Sequence, residues 1–227
     1  MVRTHFEQKL DDLTGRLVAM SRSIEAHIES ALDAVRERDG AKAEAVVLGD
    51  EEIDAVEVEI EEACVELLAL QQPMAGDLRR LVAILKINND LERIGDHAVN
   101  IAEGALRLIE RNSGWSLPIE LSEAGAIAQE MLRDVLDAFV QHDADKARSV
   151  LQRDDRVDQL HESHLRSMIT MMMESPQQIG TALSLIFIGA NIERVADLAT
   201  NIGEDVVYLV EGKTIRHGGE DSVGGER

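Results

Sequence analysis

Ile87-Asn88-Asn89-Asp90-Leu91-Glu92-Arg93-Ile94-Gly95-Asp96-His97-Ala98-Val99-Asn100-Ile101-Ala102-Glu103 decides the fold of this chain, because it occurs a second time between Ile188 and Glu204. An offset of 101 residues carries Glu92 onto Glu193, Arg93 onto Arg194, Asp96 onto Asp197, Asn100 onto Asn201, Ile101 onto Ile202 and Glu103 onto Glu204. The apolar residues Ile84, Ile87, Leu91, Ile94, Ala98, Ile101, Ala105 and Leu108 recur in steps of three and four, as do Leu185, Ile188, Ile192, Val195, Ala199, Ile202, Val206 and Leu209. That spacing places them on one seam of a long packed helix.

A second periodicity in the same stretch is polar. Glu92, Asp96, Asn100 and Glu103 form an oxygen-rich stripe turned about 100° from the seam. Like charges four residues apart disfavour a helix by about 0.2–0.5 kcal/mol per pair, so a stripe that recurs in Glu193, Asp197, Asn201 and Glu204 asks for a cation. More acids lie in the preceding helix of each half. Asp50, Glu51 and Asp54 correspond to Asp154, Asp155 and Asp158 at an offset of 104, and the pairs Glu51 with Asp54 and Asp155 with Asp158 are expected to face the stripes. The candidate metal ligands are therefore Glu51, Asp54, Glu92, Asp96, Asn100, Glu103, Asp155, Asp158, Glu193, Asp197, Asn201 and Glu204. Oxygen donors of this kind suit Mg²⁺, Ca²⁺, Mn²⁺ or iron. His161 and His164 follow Asp158, but their counterparts are Glu57 and Ile60, so imidazole ligation is not a repeated feature.

Composition narrows the function classes. Among 227 residues, aromatics make up only 2% and prolines number 3, which leaves little for a base-stacking or sugar-binding wall and favours long helices. The net charge of −21 repels nucleic acid and anionic membrane surfaces. The single cysteine, Cys64, excludes an intramolecular disulfide and suits a reducing compartment. With no apolar signal core at the N-terminus and no apolar run near the ~20 residues of a membrane span, a soluble cytoplasmic protein is expected. No Ser-His-Asp or Cys-His arrangement supports nucleophilic catalysis, and no enzymatic activity is expected.

In order, the chain reads as all-α, six long helices forming two tandem, pseudo-symmetric three-helix bundles. The first repeat spans residues 1–111, a linker 112–118, the second repeat 119–211, and a tail without periodicity, expected to be disordered, 212–227. Gly40 is expected to stop the first helix, Pro73 and Pro176 to break the second and fifth, and Asp77 to cap the third.

Two copies of Leu/Ile-Glu-Arg-Ile/Val-x-Asp-x-x-x-Asn-Ile, with Gln72-Pro73-Met74-Ala75-Gly76-Asp77-Leu78-Arg79 before the first, resemble the bacterial PhoU family of phosphate-signalling proteins from Phe6 to about Glu211. The resemblance implies a metal site in each half at Glu92/Asp96 and Glu193/Asp197, with iron or zinc as the metal. It also implies a negative regulator of the phosphate-starvation response that links the phosphate ABC transporter ATPase to a sensor histidine kinase, and a homodimer. The segment Ser175 to Thr181 lacks the Asp-Leu-Arg of Asp77 to Arg79, so the halves are expected to serve different partners. Two other readings compete, a ferritin-like carboxylate-bridged di-metal enzyme and a metal-independent helical scaffold. The first normally draws on Glu-x-x-His pairs in a four-helix core, which the repeated stripes do not contain.

Overall fold

A computed structural model describes the backbone of residues 2–71, 73–111 and 114–215, and side chains from residue 6 onward except Gln71. Gln72, Asn112, Ser113 and residues 216–227, on which parts of the second-helix break, the linker and the tail expectation fall, lie outside the described residues. The six long helices are α1 (Val2–Glu37), α2 (Gly40–Gln71), α3 (Ala75–Glu110), α4 (Ile119–Gln141), α5 (Ala144–Glu174) and α6 (Ile179–Glu211), with one 3₁₀ turn at Pro176–Gln178.

The seams read from the sequence are the core. Ile84, Ile87, Leu91, Ile94, Ala98, Ile101, Ala105 and Leu108 of α3 are fully buried, and the α1 line from Phe6 to Val35 is buried throughout. In α2 the line runs through Ile53, Ile60, Cys64 and Leu67, while Leu70 at the helix end is 66% exposed. Burial of each Ile or Leu contributes about 1.5–3 kcal/mol, so these seams are what holds each antiparallel triplet together.

The triplets are joined through their third helices. α3 and α6 pack on each other about as extensively as each packs within its own repeat, which is why both are buried on several sides. At Gly104 an added Cβ would lie 2.5 Å from Ile188, so this contact of the interface requires glycine. His97 donates from Nδ1 to Asn191 Oδ1 at 2.8 Å across the same interface. α6 with its 3₁₀ turn is, among the described residues, the one stretch long and apolar enough to cross a membrane, and 56% of its most apolar window is buried. Its length and hydropathy, which the broken apolar run did not suggest, follow from lying against α3, α4 and α5.

Turn chemistry repeats as well. Gly40 does not end α1; Arg38 takes the left-handed conformation at φ 58°, and Asp39 then caps α2 by accepting from the Ala41 and Lys42 amides at 3.0 and 3.2 Å. The counterpart is His142 at φ 55° followed by Asp143, which accepts from the Lys146 amide at 2.9 Å. A polar side chain tolerates the αL stop, and the following Asp fills the orphan N–H groups. Asp77 is not a cap: α3 begins at Ala75 after Met74, leaving Asp77 in the first turn, where its charge favours the helix dipole. Trp115 in the connection is buried, with the Arg38 guanidinium 4.7 Å from its ring and donating to its carbonyl.

Candidate functional site

Antiparallel packing of α2 on α3, and of α5 on α6, brings an acid row from one helix against an acid row of the next. In the second repeat one oxygen each from Asp158, Glu193 and Asp197 lie within 4.8 Å of one another, the one such triad among the described residues. Asp154 joins them. Burial first, then the charges of Asp158 and Asp197, push its carboxyl up to about 6, and its Oδ1 is buried without a hydrogen-bond partner. Burial followed by the charge of Asp197 also raises Asp158 and Glu193 above the usual carboxylate range.

The first repeat assembles Asp50, Asp54, Glu57, Glu92 and Asp96 in the same manner. Burial and then the charges of Asp96, Asp54, Glu57 and Asp50 raise Glu92, and burial with Asp54 and Asp96 raises Asp50. The helices lie close here: a Cβ added to Gly95 would stand in ordinary van der Waals contact, 3.6 Å from Ile53 and 3.7 Å from an Asp50 carboxylate oxygen. Carboxylates that raise one another are short of positive charge. Arg194, itself more than half exposed, reaches the second centre at 2.9 Å from Asp197 and 3.7 Å from Glu193; its counterpart Arg93 pairs instead with Asp90 at 3.3 Å.

Of the twelve predicted ligands, Asp54, Glu92, Asp96, Asp158, Glu193 and Asp197 are drawn into these two centres. Glu51 is exposed and is absent from the charges acting on Glu92, and Asp155 acts only on its helix neighbours Asp154 and Asp158. Their places are taken by Asp50 and Asp154. Asn100 stands half-buried one turn beyond Asp96, and Glu103, about 10 Å further along the axis than Asp96, pairs with Arg107 at 3.3 Å. Asn201 and Glu204 line a different feature, a groove of about 470 Å³ between α3 and α6 shared with Lys86, Asn89, Arg93 and Asp205.

The donor set suits a hard or borderline cation: clustered oxygens, few internal counter-charges and an orphaned buried carboxylate oxygen. His164 is not part of it, being buried with Nε2 donating to the Leu185 carbonyl at 3.0 Å. Cys64 is fully buried, and burial pushes its thiol up to about 11, which makes it inert.

The PhoU domain family matches residues 17–105 and 121–206, one copy on each repeat. The chain belongs to the PhoU family. It is 40% identical over 218 residues to the phosphate-specific transport system accessory protein PhoU homolog of Pseudomonas putida, covering 96% of this chain and 85% of that one. Against the phosphate-specific transport system accessory protein PhoU of Escherichia coli K12 identity is 36%, with 96% and 90% covered. The crystal structure of PhoU from Pseudomonas aeruginosa superposes with a TM-score of 0.89 at 39% identity, covering 92% of this chain and all of that chain. The phosphate transport system regulatory protein PhoU from Streptococcus pneumoniae gives 0.86 at 32% identity, covering 92% and 98%. The PhoU family consists of regulatory accessory proteins, not enzymes, which removes the di-metal enzyme reading.

Proposed function

We propose that this chain is a cytoplasmic negative regulator of the phosphate-starvation response, and that it couples a phosphate ABC transporter ATPase to a sensor histidine kinase through metal-loaded acidic centres, one in each repeat. Its family membership makes it an accessory protein of phosphate transport. The observation that carries the finer reading is the duplicated acid centre: Asp50, Asp54, Glu92 and Asp96 in one repeat and Asp154, Asp158, Glu193 and Asp197 in the other, with several of these carboxyls raised by mutual repulsion.

A cation bound at each centre would replace repulsion by attraction between α2 and α3, and between α5 and α6, and so fix the faces those helices offer. Iron or zinc fits, as do Mn²⁺, Mg²⁺ and Ca²⁺. Those faces carry apolar side chains suited to protein contact, Leu48, Val58 and Val65 on α2 and Leu165 and Ile169 on α5, exposed between 36% and 78%, and a homodimer would bury one such set. The expected partners are proteins, since the charge of −21 disfavours nucleic acid and anionic lipid.

The test is a phosphate-starvation reporter in a host lacking its own copy of this regulator. The wild-type chain is expected to silence the reporter at high phosphate, and Asp96→Ala with Asp197→Ala is expected to leave it on while the protein stays folded and soluble. Silencing by the double variant at wild-type level would refute the metal-centred part of the reading; failure of the wild-type chain to silence would refute the regulatory part.

A further inference from the structure

The groove between α1 and α2 in the first repeat is built differently from the same place in the second. It holds about 300 Å³ and is lined by Met20, Ser23 and His27 of α1 and by Gly49, Glu52 and Ile53 of α2. Offsets of 111 residues for α1 and 104 for α2 carry Ser23 onto Asp134, His27 onto Ala138, Gly49 onto Arg153 and Glu52 onto Arg156. In the second repeat Arg153 of α5 donates to Asp134 of α4 at 2.6 Å, and Lys146 stands 3.3 Å from the same carboxylate. A guanidinium held by a carboxylate bridges those two helices.

The first repeat has neither member of this pair. Gly49 carries no side chain, and the His27 ring lies against it, with Cε1 and Nε2 each 2.8 Å from where a Cβ would stand. Burial holds the imidazole below its usual pKa, so at neutral pH it is uncharged and one ring nitrogen is an acceptor. Its Nδ1 is buried with no hydrogen-bond partner among the described residues. Met20 and Ile53 form an apolar floor, each 3% exposed, and Glu52 is exposed beside it. Glu52 is the one charged residue of the lining, which contains no Lys or Arg. Charge complementarity therefore asks for a cation, and the apolar floor asks for one with an aliphatic stem. A guanidinium meets both demands better than an ammonium, because it is more weakly hydrated and stacks its plane on aromatic rings. The volume lies at the lower end of the roughly 300–1,000 Å³ of ligand pockets, which suits a single long side chain.

We infer that this groove receives an arginine side chain from a protein partner, with its stem over Met20 and Ile53 and its guanidinium between His27 and Glu52, as Arg153 serves from within the chain in the second repeat. The inference is independent of metal at the acid centres.

The experiment follows the methyl signals of Met20 and Ile53 by NMR in the full chain while Nα-acetylarginine methylamide is added to about 10 mM. Both signals should move and saturate. Glu52→Gln should weaken binding by about threefold to fivefold, and Ser23→Asp with His27→Ala and Gly49→Arg, which installs the pair of the second repeat, should abolish it. Glu52→Arg, which copies Arg156 at a surface position, should also abolish binding and decides the matter if the triple variant fails to fold. Signals that do not move, or that move equally with Nα-acetylnorleucine methylamide, would overturn the inference. So would agmatine binding while the arginine amide does not, since the groove would then take a free guanidino compound and not a protein side chain.

Discussion

The two repeats share a backbone plan and four acidic positions, yet they neutralise charge by different means. In the second repeat Arg194 reaches Asp197 and Glu193 from within the same helix. In the first, Arg93 turns to Asp90, and the charges that raise Glu92 all come from acids. The inter-repeat seam is asymmetric too. Lys86 on α3 meets Asp205 of α6 at 2.8 Å, with Asp205 only 3% exposed, whereas the matching pair is Phe187 on α6 and Gly104 on α3, with the Arg107 guanidinium 4.7 Å from the Phe187 ring. Duplication fixes where side chains stand; it does not fix what each position must do. Positions that set the helix seams stayed apolar in both copies and the four positions of each acid centre stayed acidic, whereas positions that face the partner repeat, Lys86 against Phe187 and Gly104 against Asp205, diverged.

The asymmetry is open to mutation, and the largest effect belongs to the seam. Lys86→Met removes the ammonium from a buried carboxylate and should destabilise by about 2–3 kcal/mol, while Phe187→Ala at the equivalent place should lose about 1 kcal/mol; urea unfolding compares them, and equal losses would mean the seam is symmetric in energy. Next comes Gly203, where an added Cβ would lie 2.6 Å from Leu151 and 3.4 Å from the Ala147 carbonyl. Although the first repeat has Ala102 in this register, Gly203→Ala should lower stability by about 1–2 kcal/mol.

A smaller effect is the pH dependence of the metal-free protein. Asp154, at about 6 when folded against an ordinary 3.8, holds a proton that the unfolded chain releases. Its stabilising contribution is complete below pH 3.8 and is lost as pH rises through 6. Chelated protein should therefore unfold at higher urea at pH 5 than at pH 7.5, and Asp154→Asn should flatten that slope more than Asp50→Asn does. An equal response would place the stronger repulsion elsewhere. Smallest is Gly95→Ala, which copies Ala196 of the second repeat into ordinary contacts of 3.6 Å and longer and should stabilise by about 0.5–1 kcal/mol, read as a rise in melting temperature.

Most of the fold was legible because helical burial has a period. Each α3 and α6 seam residue named from the three-and-four spacing is buried or nearly so. The acid centres were legible in part. Glu92, Asp96, Glu193 and Asp197 were found because they repeat, but Glu51 and Asp155 were paired with Asp54 and Asp158 on their spacing of three alone. Measured from Ile53 and Val157, Glu51 and Asp155 fall about 160° round the helix, nearly opposite the seam, while Asp50 and Asp154 fall toward the neighbouring helix. The signal that would have chosen them was the seam itself. The pairing of Lys86 with Asp205 had no such signal, since it depends on how the repeats dock and joins residues 119 apart.

In the proposed function, metal at the acid centres makes this chain competent for its transporter partner. The measurement that tests it most directly is the affinity of the full chain for the phosphate transporter ATPase, read by surface plasmon resonance with the same protein sample before chelation, after chelation and after re-addition of Zn²⁺ and Mn²⁺. Affinity should fall by about tenfold or more on chelation and recover on re-addition, with no recovery in Asp96→Asn with Asp197→Asn. Equal affinity in all three states would contradict it.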